Sequence, residues 1–160
     1  EGSVRDTLTI ADMVKSFCKD FVTYNKVVKI LSVVSQSEIF DIGESIVSGD
    51  VEKTYSKINA LVSDGKGVNV LQKELLTFFK NLFLAKSVAN FSKFMSLSVE
   101  LSERLKSISN NTDTEKLVHA IYLLSSFEQE VRQSTEQDLL FDSLIIKLCF
   151  GFKQNYWGEA

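Results

Sequence analysis

The chain has 160 residues, with 18 Lys and Arg against 21 Asp and Glu, a formal net charge of −3 at pH 7. That balance argues against broad phosphate-backbone binding, which depends on clustered cations. A chain of this size buries about 68–70% of its unfolded surface, so a core needs no disulfide or metal staple. The two cysteines, Cys18 and Cys149, have no Cys or His at metal-ligand spacing and read as buried reduced thiols. The longest apolar run falls far short of the roughly 20 residues that span a bilayer, so no membrane partner is expected. There is no proline at all, which suits a chain of back-to-back helices because proline breaks helix interiors.

The opening EGSVRDTLT carries no initiator Met and reads as the middle of a longer protein. Over 3–18 the apolar positions Leu8, Ile10, Ala11, Val14, Phe17 and Cys18 form one helical stripe. A short helix over 24–34 follows, YNKVVKILSVV, with Val27, Val28, Ile30 and Leu31 as its apolar side. Ser35 to Glu38 has the Ser-x-x-Glu spacing that caps a helix N-terminus. The helix it opens runs to Gly49; Asp50 then caps another, which ends at Asp64-Gly65-Lys66-Gly67.

From 69 to 89 a long helix shows a broad apolar face, including Leu71, Leu75, Leu76, Phe78, Phe79, Leu82, Phe83 and Leu84. Such width predicts burial on two sides. Helical period continues from 91 to 108. After the loop SNNTD, Thr112 with Glu115 is a second capping box, opening a helix to about Arg132. Ser134 or Thr135 caps the last helix, which is apolar at Leu139, Leu140, Phe141, Leu144, Ile145, Ile146, Leu148, Cys149 and Phe150. No stretch alternates with period two and no solenoid repeat appears. The fold class is all-α, a compact bundle of about seven or eight helices.

Catalytic patterns are scarce. The single Gly-Lys pair, Gly65-Lys66, has neither the upstream glycine nor the following Ser or Thr of a P-loop and reads as a turn. His119, the one histidine, sits on an amphipathic helix, where a structural role is favoured over catalysis with a cysteine. Glu128 and Glu130 diverge around their helix and read as a solvated face. The lysines at 15, 19, 26, 29, 73, 80, 86 and 93 read the same way.

Three stretches resemble a known family. The opening Glu1-Gly2-Ser3-Val4-Arg5-Asp6 is similar to the "EGS-x-RD" element in the helical lid of the gamma/tau subunit of bacterial DNA polymerase III. Residues 27–86 resemble that family's passage from the lid into its third domain, with Ser32 in place of a junction glycine and Lys80 where Arg is common. Thr7 replaces the usual Ala. RQSTEQDLLFDSLIIKLC, 132–149, is similar to the family's closing motif, with Asp142 in the position of a Glu.

The resemblance implies a clamp-loader subunit of the AAA+ class acting in DNA replication in the bacterial cytoplasm. It implies that 1–34 are a remnant of the lid, 35–152 the helical oligomerisation (collar) domain and 153–160 a tail. Arg5 is then a phosphate sensor for ATP in the intact parent only, while this chain needs no cofactor or metal and has no catalytic residue. The partners implied are other gamma/tau copies, delta and delta-prime, with DNA engaged only indirectly. The interface candidates are Leu75, Phe78, Phe79, Leu82, Phe83, Leu140, Leu144, Ile145 and Leu148, on the two helices with apolar residues in excess. The rival reading is an unrelated helical adaptor with a peptide groove along Phe78, Phe79 and Phe83.

Overall fold

In this computed structural model the described residues, 34–153, fold into six α-helices and one turn of 3-10 helix, with no strand among them. They are α1 (Gln36–Val47), α2 (Val51–Ser63), α3 (Val68–Ser87), the 3-10 turn (Phe91–Phe94), α4 (Val99–Asn110), α5 (Thr114–Arg132) and α6 (Gln137–Lys153). The six helices match the number expected over this stretch. The helix expected over 3–18 and residues 24–33 of the one expected over 24–34 lie outside the described residues; Val34 itself is described, buried and not helical.

Local chemistry sets most boundaries. The Ser35 hydroxyl accepts from the backbone N–H of Glu38 at 3.2 Å, and the Asp50 carboxylate accepts from Lys53 at 3.0 Å, each meeting one of the four donors a helix start leaves open. Gly49 ends α1 at φ +75°, allowing the Asp50 N–H to reach back to the Ser45 carbonyl at 3.0 Å. Gly65, at φ +92°, ends α2 in the same way.

Two expectations need correction. Residues 91–108 are not one helix: after the 3-10 turn Met95 is extended (φ −150°, ψ +151°), and α4 begins only at Val99. Ser98 causes the restart, its hydroxyl accepting from Leu101 N–H at 3.1 Å. The apolar period runs on through this gap because Phe91, Met95 and Leu97 still pack partly against the core from a non-helical backbone. The cap of α5 is Asp113, accepting from Glu115 N–H at 3.0 Å, rather than Thr112. Thr112 is buried and its hydroxyl donates to the Ile108 carbonyl at 2.6 Å, which closes the end of α4 instead.

Helix α3 is the hub, packing against α1, α4, α5 and α6. It buries Leu71, Leu75, Phe78, Phe79, Leu82 and Ala85. Its aromatic residues organise the neighbours: Phe78 meets Phe40 of α1 edge-on at 5.1 Å, and Phe79 stacks on Phe152 of α6 at 5.6 Å. Each fully buried Phe contributes on the order of 1.5–3 kcal/mol of transfer free energy. Helix α1 comes close enough to lay Gly43 on the Phe78 ring; a Cβ there would overlap the ring.

Polar side chains tie the helices at their ends. The Lys86 ammonium of α3 donates to the Ser109 carbonyl in the last turn of α4 and to the Thr112 carbonyl just past it, at 3.3 and 2.7 Å, while Lys106 of α4 donates to the Ala85 carbonyl of α3 at 2.8 Å. Each helix thus neutralises the other's negative C-terminal end, an interaction of about 0.3–1 kcal/mol apiece. Arg104 joins α4 to α1 through Asp41 and Glu44, both at 2.9 Å, with its guanidinium 5.6 Å from the Phe40 ring centroid. Burial alone would lower the Arg104 pKa, but the hydrogen bonds to Glu44 and Asp41 outweigh it and raise the value. The buried Gln72 amide donates to the Leu124 carbonyl of α5 at 2.7 Å.

Candidate subunit-contact surface

The nine residues expected to face a partner divide sharply. Leu75, Phe78, Phe79, Leu82, Leu144, Ile145 and Leu148 are buried in the domain's own core. Phe83 and Leu140 alone stay half-buried. Among the described residues, Phe40, Gly43 and Phe152 fill the space around Phe78 and Phe79, which leaves no open groove from these two rings to Phe83. The broad stripe on α3 is explained by helices of the same chain lying on several of its sides.

Large apolar side chains do reach solvent elsewhere, on the outer sides of α5 and α6. These helices pack together antiparallel, with Phe127 edge-on to Phe141 at 5.7 Å and the Lys116 ammonium donating to the Phe152 carbonyl at 3.2 Å. The inward face of α5 carries Leu117, Ala120, Leu124, Phe127 and Val131. Val118 and Tyr122, one turn apart, point the other way and are 50% and 64% exposed. On α6 the inward face is Phe141, Leu144, Ile145, Leu148 and Phe152. Leu139 and Ile146, two turns apart, stand out at 63% and 53% exposed, and Phe150 continues their side of the helix.

The rotation of α6 that turns these residues outward is fixed from its flanks. Tyr55 of α2 donates its phenol hydrogen to the Asp142 carboxylate at 2.9 Å. That hydrogen bond, with the neighbouring negative charge, raises the Tyr55 pKa. Asp142 thus holds in place the helix whose closing motif it belongs to. On the same flank Cys149 is buried beside Thr54; burial pushes its thiol pKa up, the Thr54 hydrogen bond opposes this, and the Asp50 carboxylate adds to the rise.

His119 lies half-buried next to Tyr122, ring centroids 6.3 Å apart, and burial lowers its pKa. Cys149, enclosed at the α2–α6 contact, is not presented to solvent for a His119-assisted reaction, and Cys18 lies outside the described residues. No group of three or more His, Cys, Asp or Glu among the described residues could hold a metal ion, and no described helix is long and apolar enough to cross a membrane. Arg5 lies outside the described residues.

The sequence separates two sets of apolar residues on these helices without saying which set faces outward. Helix α6 is apolar at more positions than one face can hold, and Leu139, Ile146 and Phe150 fall off the stripe of Phe141, Leu144, Ile145 and Leu148 by about half a turn. Val118 and Tyr122 show the same offset within KLVHAIYLL.

Comparison with known proteins gives the same kind of molecule a family. Residues 22–156 match the model of DNA polymerase III subunits gamma and tau, domain III. The chain is 23% identical over 149 residues to DNA polymerase III subunit tau of Bacillus subtilis (strain 168), covering 93% of this chain and 26% of that one. It is 23% identical over 145 residues to DNA polymerase III subunit gamma/tau of Mycoplasma genitalium, covering 90% and 23%. A plant protein, STICHEL-like 1 of Arabidopsis thaliana, is 25% identical over 150 residues, covering 92% and 13%. The chain therefore spans about a quarter or less of the length of these relatives. On the strength of the match over 22–156, the chain belongs to the family of domain III of the DNA polymerase III gamma and tau subunits.

Proposed function

We propose that this chain is a non-catalytic assembly element of a clamp-loader subunit, working in DNA replication in the bacterial cytoplasm. Residues 35–152 act as the collar domain, 1–34 as a remnant of the lid of an AAA+ ATPase, and 153–160 as a tail. The family match enters at residue 22, so 22–34 are the junction shared by the two assignments. In the intact parent Arg5 would reach toward ATP phosphates, a role suited to a permanently charged, forked guanidinium; the chain itself takes no cofactor. Its partners are other gamma/tau copies, delta and delta-prime, and DNA is met only through them.

One observation carries the assembly reading. A domain whose core already encloses Phe79, Phe127 and Phe141 still leaves Val118, Tyr122, Leu139 and Ile146 on the outer side of one helix pair. Apolar side chains left exposed on two helices that pack together offer area that a partner subunit can cover. The unrelated-adaptor reading is set aside by the family match and by the burial of Phe78 and Phe79.

Sedimentation over a concentration series, with the chain alone and mixed with gamma/tau, delta and delta-prime, tests the reading. Association should weaken at least tenfold in the double variant Tyr122→Glu, Ile146→Glu, while helical circular dichroism and melting temperature stay near those of the parent chain. Undiminished association by the well-folded variant would remove this surface from the proposal. Micromolar nucleotide affinity by calorimetry would overturn the assignment of ATP binding to the rest of the parent.

A further inference from the structure

No further inference is drawn: the strongest remaining candidate, the apolar groove lined by Phe91, Leu97 and Val99 beside the exposed Phe94, carries nothing because the structure does not show what covers it.

Discussion

Two connections in this domain invert the usual expectation about what is buried. The α1–α2 link, Ser48-Gly49-Asp50, is polar in sequence, yet Gly49 is enclosed and flanked by the buried hydroxyls of Ser45 and Thr54. The α3–α4 link is rich in Phe, Met and Leu, yet its 3-10 turn has no buried residue and Phe94 is 66% exposed. The difference lies in hydrogen-bond accounting and backbone shape. In the first link every nearby hydroxyl has a partner: Ser45 lies 2.7 Å from both the Ile42 carbonyl and Thr54, and Thr54 lies 2.7 Å from the Asp50 carbonyl. A buried polar group that is satisfied carries little penalty, so the end of α6 can close over the turn. In the second link the extended backbone around Met95 leaves apolar side chains with too few neighbours to enclose them.

The sharpest way to break this contrast is Gly49→Ala. Its backbone lies at φ +75°, which penalises an L side chain by roughly 1–2 kcal/mol, and the added Cβ would meet the Lys153 Cβ at 2.7 Å. A total loss of about 3 kcal/mol in urea unfolding is expected once overpacking is added. An unchanged midpoint would mean that α6 does not close over the turn. Thr54→Val is the next test, because it keeps the shape and deletes the hydroxyl shared with Ser45. A loss of about 1–2 kcal/mol is expected, read by the same titration; a stabilised variant would show that the polar pair is dispensable.

The other connection should respond differently at each end. Ser98→Ala removes the hydroxyl that restarts the helix at Leu101, and about 1 kcal/mol should be lost, with faster amide exchange confined to the first turn of α4. Exchange rates unchanged there would argue that another group caps the helix. Phe94→Ser should alter stability by no more than about 0.5 kcal/mol, as expected for an exposed site. A drop of several kcal/mol in thermal melting would show that Phe94 belongs to the core after all.

Legibility followed range. Ser35, Gly49, Asp50 and Gly65 act on groups within a few residues of themselves, so their signals survive in the sequence and the structure uses each as expected. The all-helical class was readable from apolar periodicity for the same reason. The gap at 95–98 was not, because Ser98 competes with a helix only through its own cap while the apolar spacing runs on unchanged. Thr112 and Asp113 are adjacent potential caps, and the choice falls to Asp113 because Thr112 is held by Ile108 and Lys86. Which way the apolar faces of α3 and α6 turn was hidden for a longer-range reason. Which apolar residues of α6 point inward depends on Tyr55, Thr54 and Gly49, far away in the chain. The bulky face of α3 looked available only because α1, α4, α5 and α6 had not yet been placed around it.

The seating of Lys153 against Gly49 has a consequence for the speed of folding. These two residues stand near opposite ends of the described chain, so the domain closes by joining its first helices to its last. Helical bundles usually fold fast because their contacts are local, whereas a contact of this span requires a long loop to close before it gains anything. Helices α3 to α5 can meet in sequence order as they form; the docking of α6 onto the α1–α2 turn is the event that waits. In a chain being synthesised, the Gly49 turn stays uncovered until the ribosome has released the last turn of α6.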